Sequence, residues 1–313
     1  MFTSCSVVVA VFNEADSLPK LLEELEASLS AACASGYFKE YELIFVSDGC
    51  TDDSVEILTA WLKTHPNGKL IVFRKNRGKS YALQAGFEEA AGDIIVTLDA
   101  DLQDDPAELV KLVDKLNEGY DMVCGWKQNR QDPLEKTLPS KLFNWVTGRI
   151  CGLHLHDFNC GFKAYRKEVA QSLAVYGEFH RYLPVFAIRN GFRVTEIPIH
   201  HRKRSFGKSK FGMERYLRGF FDAVSSWFLL KYADRPMYLF GKVGLLCMLL
   251  ACISIMGAWF AYPGKLVCLI GSGLFLIAGI QFVCLGFLAN LWLDYIQYNR
   301  RSHIHIKRII CYK

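Results

Sequence analysis

At 313 residues the chain has room for one large domain plus an appendage. A hydrophobic fraction of 51% and a positive mean hydropathy are high for a soluble protein, which argues against a purely aqueous one. The net charge of +5 gathers around residues 200–218 and beside apolar C-terminal runs, a pattern that suits anionic lipid headgroups better than nucleic acid.

In chain order, residues 6–11 (Ser-Val-Val-Val-Ala-Val) are β-branched and read as a buried strand. A helix follows over 18–30, with Leu18, Leu21, Leu22 and Leu25 on one face and Asp16 or Ser17 as its cap. Residues 42–46 form a second strand, ending in the polar turn 47–54 before a helix over 55–64. A third strand over 69–73 leads through 74–78 into a helix over 80–91. Residues 94–98 are a fourth strand, Asp105-Pro106 opens a helix over 106–117, and 121–124 are a fifth strand. Strands alternating with helices predict a mostly parallel sheet with helices on both faces, the α/β class.

Two later stretches read as amphipathic. Residues 135–150 place Leu138, Leu142, Trp145 and Val146 near one face, beside Lys136, Lys141 and Arg149. Residues 211–231 carry a large aromatic face (Phe211, Tyr216, Phe220, Trp227 and others) beside Lys210, Arg215 and Arg218, as an interfacial helix would. Residues 243–262 and 266–293 contain no charge, and each is long enough to cross a hydrocarbon core. They are expected to form a transmembrane hairpin over about 239–262 and 266–293. Lys231, Arg235 and Lys242 precede it, and Arg300, Arg301, Lys307, Arg308 and Lys313 follow. Positive flanks stay inside, which puts the N-terminal part and the tail in the cytoplasm. Residues 1–4 show no signal-peptide pattern, and eleven cysteines without paired spacing read as reduced thiols.

The chemistry is expected where strands end, because ligands of open α/β sheets bind beyond the carboxyl ends of the strands. Asp99 and Asp101 are hard oxygen donors suited to a divalent cation carrying substrate phosphates. Phe12-Asn13-Glu14, Asp48-Gly49 and Asn76-Arg77-Gly78-Lys79 stand at neighbouring strand ends. Any one of these could be a turn or a helix cap; their order on successive βα units is the informative feature.

Residues 8–14 (Val-Val-Ala-Val-Phe-Asn-Glu), 46–52, 76–79 and 99–104 resemble the motifs of family 2 glycosyltransferases with a GT-A fold. Residues 157–166 (Asp-Phe-Asn-Cys-Gly-Phe-Lys-Ala-Tyr-Arg) and 204–210 (Arg-Ser-Phe-Gly-Lys-Ser-Lys) are similar to its polyprenyl-phosphate branch, which includes dolichyl-phosphate mannose synthases and bacterial undecaprenyl-phosphate transferases. The resemblance implies a membrane-bound inverting enzyme. It would move one sugar from a nucleotide-diphosphate sugar, such as UDP-glucose, to a polyprenyl phosphate at the cytoplasmic face of a bacterial inner membrane. It implies Mg²⁺ or Mn²⁺ on Asp99 and Asp101. It implies a donor pocket of Ala10, Phe12, Glu14, Asp48, Lys79, Asp99, Asp101 and Gln103. It implies Asp157 and Asp101 as the catalytic residues, with Asp157 near the reacting centre as a base or as an orienting group. Arg130, Ser140, Arg202, Arg204, Ser209 and Lys210 would hold the lipid phosphate.

Three positions depart from the family pattern: Ala10 for Pro, Phe12 for Tyr, and Ser47 for the first carboxylate of Asp-Asp-Gly. The last leaves UDP or GDP open, with UDP favoured by the two-span architecture. The expected organisation is a catalytic domain over 1–210, an interfacial segment over 211–236, the spans over 237–295 and a basic tail over 296–313. Glycines in the spans allow a homo-oligomer. Two other readings are a transferase acting on a glycan or diacylglycerol, and a non-catalytic membrane scaffold.

Overall fold

The computed structural model describes residues 2–128, 148–149, 155–177, 179–202, 224, 227–228, 231–232, 235–260 and 264–300. Nearly all of the two amphipathic stretches, 135–150 and 211–231, lies outside the described residues. The chain divides into two compact units, Met1–Trp227 and Phe228–Lys313.

The first unit is built on a seven-stranded sheet in the order β3-β2-β1-β4-β6-β5-β7. Strand β1 (Ser4–Val11) lies parallel to β2 (Glu40–Ser47) and to β4 (Ile94–Asp99), and β3 (Gly68–Val72) extends β2. The register sets Ala10 between Val46 and Asp99, so the ends of β1, β2 and β4 share one edge. The fifth expected strand is β5 (Met122–Lys127), which ends three residues later than the sequence suggests, but it does not adjoin β4. Strand β6 (Lys163–Arg166) enters between them, antiparallel to both, and β7 (Val194–Ile199) runs parallel to β5. At the inner end of β6, the Thr97 hydroxyl donates to the Gly161 carbonyl at 2.7 Å.

Both faces of the sheet are covered, as runs of β-branched residues require. On one face Cys5, Val7, Val9 and Val11 join the leucines of α1 (Leu18–Ala34) and of α4 (Leu109–Asn117) in a single core. On the other, α3 (Lys79–Glu89) crosses β1 at Gly86, where any Cβ would fall inside contact distance of the Val8 side chain. The remaining helices are α2 (Ser54–Leu62), α5 (Lys167–Ser172) and α6 (Leu183–Arg189).

One expected cap is replaced by a longer-range tie. Ser17 occupies the N-cap position of α1 but makes no capping hydrogen bond. Its buried hydroxyl donates to the Ala100 carbonyl at 2.7 Å, fastening the helix to the loop after β4. Asp105 does cap the turn after it, accepting from the Ala107 N–H at 3.0 Å.

In the second unit, α7 (Met237–Phe260) and α8 (Lys265–Arg300) pack together as a hairpin. Their apolar windows, Met237–Trp259 and Lys265–Leu293, have mean hydropathies of 2.2 and 2.3, and only 11% of each is buried. A soluble core helix would be mostly covered. Side chains such as Trp259, Val267 and Leu266 instead face outward, a surface that lipid rather than water accommodates. Gly244 and Gly279 meet inside the hairpin: a Cβ on either would lie 2.9 Å from the other's carbonyl oxygen. Gly279 therefore serves the contact between these two helices.

Candidate active site

The end of β1 turns sharply at Asn13, whose φ of 54° is left-handed, a region that asparagine tolerates through local hydrogen bonds. Its Oδ1 accepts from the Thr51 N–H at 2.8 Å, tying the β1 end to the β2–α2 loop. Glu14 N–H donates to Ser54 Oγ at 3.0 Å, and Ala15 N–H to Asp52 Oδ2 at 3.0 Å. The Phe12–Glu14 segment is thus held at the cleft by α2's first turn. Ser47, the departure from the paired carboxylates, is fully buried and its hydroxyl accepts from the Cys50 N–H at 3.5 Å. A carboxylate there would be buried within the turn.

Asp48 is only 4% exposed. Its two oxygens accept the backbone N–H groups of Arg77 at 2.7 Å and Gly78 at 2.9 Å. It therefore holds the Asn76–Lys79 loop across the end of β2. Gly49, at φ 70°, lets that loop approach: a Cβ there would lie 2.5 Å from the Lys75 carbonyl carbon.

The clamped loop delivers Lys79 to Asp99, and the two form a close ion pair. Burial alone would raise the Asp99 carboxyl, but the Lys79 ammonium, helped by Lys127, holds it down at about 2. Gly161 packs flat against this carboxylate; a Cβ on it would sit 2.6 Å from Asp99 Cγ. Asp101 accepts from the Gln103 N–H at 3.2 Å across a tight turn. That turn forces Leu102 to a φ of 59°, a region that costs a leucine roughly 1–2 kcal/mol. Burial of its side chain to 5% exposure offsets the cost.

Behind the turn, Asp104 is 1% exposed and pairs with Lys127 Nζ of β5 at 3.0 Å. Burial would push its carboxyl up, and Lys127 outweighs that effect and keeps it low. His201, just after β7, is 7% exposed, with its Nδ1 3.6 Å from Asp104 Oδ1 and its Nε2 3.5 Å from Gln103 Nε2. Arg202 N–H donates to the Gln103 carbonyl at 2.7 Å. The Arg202 guanidinium reaches Glu24 at 2.6 Å and Asp105 at 2.8 Å.

Asp157 is 1% exposed, and its Oδ1 accepts from the Asn159 N–H at 3.0 Å. The loop it opens closes over a buried ammonium: Lys163 Nζ donates to the Phe158 carbonyl at 3.3 Å and to the Cys160 carbonyl. At the start of α3, Ser80 Oγ lies 3.0 Å from His180 Nδ1 and accepts the His180 N–H at 3.1 Å. Burial, with Lys79 close by, pushes His180 well below the ordinary histidine range, so it is neutral at pH 7.

The structure therefore gathers Ala10, Asp48, Lys79, Asp99, Asp101 and Gln103 at one sheet edge. Arg202 is brought to the same loop from behind, by carboxylates. Arg130, Ser140, Arg204, Ser209 and Lys210 lie outside the described residues. Sequence reasoning passed over Lys127, Ser80 and His180, which carry no local motif. The motif over 157–166 is the sequence signal for Lys163 and Gly161. Among the described residues, no group of three or more His, Cys, Asp or Glu side chains converges as a ready metal cage. Two carboxylates at a cleft, Asp99 and Asp101, still fit a hard divalent cation whose shell substrate phosphates complete.

A mostly parallel sheet whose neighbouring strands end in Asp48, Asp99 and Asp101, faced by a clamped lysine loop, defines a glycosyltransferase of GT-A type. The Glycosyl transferase family 2 profile matches residues 6–174, and the chain belongs to that family. Undecaprenyl-phosphate 4-deoxy-4-formamido-L-arabinose transferase from Klebsiella pneumoniae is 34% identical over 97% of this chain and 93% of its own length. The enzyme of that name from Shewanella sediminis is 38% identical over 91% of this chain and 86% of its own. A glucosyl-3-phosphoglycerate synthase from Mycobacterium tuberculosis, solved with Mn²⁺, UDP and glucosyl-3-phosphoglycerate, shares the fold. Its TM-score is 0.53 at 16% identity, covering 72% of this chain and 79% of that one. The chain is thus a glycosyltransferase, and its two apolar helices with these relatives mark it as a membrane protein.

Proposed function

We propose that this enzyme transfers one sugar from a nucleotide-diphosphate sugar, UDP-linked, to a polyprenyl phosphate at the cytoplasmic membrane face, with inversion. The observation that carries the reading is the Lys79–Asp99–Asp101 edge, a lysine and two carboxylates at the strand ends, on a chain with two membrane-length helices. The relatives' names put 4-deoxy-4-formamido-L-arabinose ahead of glucose as the sugar to test, and undecaprenyl phosphate as the acceptor.

The acceptor is a phosphate monoester with a second pKa near 6, so it is largely ionised at neutral pH and needs little help from a base. Its oxygen attacks the anomeric carbon while the bond from that carbon to the diphosphate oxygen breaks. The electron pair leaves with the nucleoside diphosphate, and the lipid phosphate becomes a diester. The protein's task is then positioning and neutralisation. Lys79, released from Asp99 to the diphosphate, supplies one positive charge. Asp99 and Asp101 would hold Mg²⁺ or Mn²⁺, which when bound supplies Lewis-acid neutralisation of the leaving group. Phe12, Glu14 and Asp48 frame the nucleoside side, and Gln103 faces the sugar. Asp157, buried and held in its turn, orients rather than abstracts a proton. Arg130, Ser140, Arg204, Ser209 and Lys210 bind the acceptor phosphate, while Arg202 serves by bracing the loop at Asp105.

The test is transfer of label from a panel of UDP- and GDP-sugars to undecaprenyl phosphate in membranes. An organic-extractable product lost with EDTA, and reduced about 100-fold or more in Asp101→Ala, is the expected result. Nucleotide binding without any lipid product would turn the reading toward a glycan or diacylglycerol acceptor.

A further inference from the structure

The proposed mechanism makes no use of a serine–histidine pair that adjoins Lys79. Lys79 opens α3, and the residue before it, Gly78, is a loose joint. Gly78 stands at φ 96°, a region that favours glycine, it gives the helix no side-chain cap, and a Cβ on it would meet nothing within 4 Å. On the near side of this joint, Asp48 holds the N–H groups of Arg77 and Gly78. On the far side, Ser80 is fully buried and its hydroxyl meets His180 twice. It lies 3.0 Å from Nδ1 and accepts the His180 N–H at 3.1 Å. His180 itself belongs to an anchored segment. Val175 N–H donates to Gln84 Oε1 of α3 at 2.8 Å, and the Phe179 ring packs at a steep angle against Tyr176, Tyr182 and Phe186.

We propose that Ser80 and His180 are positioning residues for Lys79. Their paired contact pins the first turn of α3, so that the lysine passes from Asp99 to the donor diphosphate by moving its side chain alone. The direction of the two bonds follows from the chemistry of the groups. A main-chain N–H can only donate, so the proton of the buried Ser80 hydroxyl goes to Nδ1. Nδ1 then carries a lone pair, Nε2 carries the proton, and the imidazole is neutral. Burial and the nearby Lys79 ammonium favour the same state, since both push His180 well below the ordinary histidine range. The contact therefore fastens the turn without placing a second cation beside the lysine. Without it, the turn is free to pivot at Gly78, and a misplacement of about 1 Å can cost about 100-fold. This inference rests on the reading that Lys79 meets the donor diphosphate.

The test is a double-mutant cycle on the full-length protein, with Ser80→Ala, Lys79→Met and the double variant. His180→Leu and His180→Asn accompany it: leucine offers no acceptor, whereas the asparagine side-chain oxygen stands near the place of Nδ1. The readouts are calorimetric Kd values for UDP and UMP with Mn²⁺, GDP and GMP run alongside, and the melting temperature. Ser80→Ala and His180→Leu should each weaken the diphosphate by about 10-fold, the lower range for loss of one charge-assisted hydrogen bond. The monophosphate, which lacks the group that Lys79 is placed to meet, should bind as before. Ser80→Ala should add nothing to Lys79→Met, and His180→Asn should recover most of the loss. A purely structural pair would weaken both nucleotides alike or lower the melting temperature with both constants intact, and either result overturns the proposal. So do losses that multiply with Lys79→Met. If His180→Leu does not fold, Ser80→Ala, which removes a single oxygen, decides the matter. Wild-type protein that binds nucleotide but makes no lipid product sinks the acceptor assignment alone, while the cycle still decides this inference. Wild-type protein that binds neither UDP nor GDP overturns the donor reading and this inference with it.

Discussion

Gly161 and Lys79 show how closely this site is drawn around one carboxylate. Because a Cβ at Gly161 would lie 2.6 Å from Asp99 Cγ, Gly161→Ala should displace Asp99. Transfer should fall by about 10–100-fold with little change in melting temperature, since a misplacement of about 1 Å is enough to cost that much. Unchanged kcat would mean that Asp99 tolerates a shift. The ion pair also has a signature in acid. Asp99 titrates at about 2 in the fold against 3.8 normally. A depressed carboxyl contributes stability that is complete above the unfolded value and lost as pH falls from about 4 toward 2. Lys79→Met removes the principal cause of the depression, so the acid transition, followed by tryptophan fluorescence, should move to higher pH. An unmoved transition would show that Lys127 alone suffices. The residues of this edge were largely legible beforehand, because Asp48, Asp99 and Asp101 stand at or just beyond the ends of apolar strands, and Lys79 opens the helix after the third strand, in a repeated βα order. His180 and Lys127 were not. Their partners, Ser80 and Asp104, lie far away in sequence, and no local pattern announces a contact made only by the fold.

At the level of elements, the four N-terminal βα units follow their hydrophobic pattern to within a few residues at each boundary. What periodicity could not reveal is the insertion of β6. Lys-Ala-Tyr-Arg is short and carries two charges, so it lacks the apolar run of a central strand, yet it lies between β4 and β5. Lys163 is tolerated there because loop carbonyls receive its ammonium. Likewise the Ser17 hydroxyl serves the Ala100 carbonyl instead of its own helix, a choice visible only in three dimensions. The packing of α3 on β1 makes a stability prediction. A methyl group at Gly86 would collide with Val8, and overpacking of this kind costs about 1–3 kcal/mol. Gly86→Ala should lower the thermal midpoint of the catalytic unit, although alanine is the better helix former. A raised midpoint would mean that the sheet yields freely.

For the molecule as a whole, composition already separated a catalytic α/β unit from a membrane hairpin, because uncharged runs of twenty residues or more have few other homes. The glycines of the hairpin sort by geometry rather than by sequence. Gly244 and Gly279 approach each other's backbone, whereas Gly257 and Gly273 have nothing within 4 Å. Gly279→Leu should therefore destabilise the hairpin itself, lowering expression and melting temperature in detergent, while Gly273→Leu should not. Equal effects of the two would place the helix contact elsewhere. The central claim joins both units: a soluble sugar nucleotide is consumed at the sheet edge and a lipid phosphate receives the sugar. Its most direct test is mass and NMR analysis of the product formed by purified protein from a UDP-sugar and undecaprenyl phosphate. The account predicts one sugar per lipid, joined through phosphate, with the anomeric configuration opposite to the donor's. A product of retained configuration, or sugar found on any acceptor other than the lipid phosphate, would contradict it.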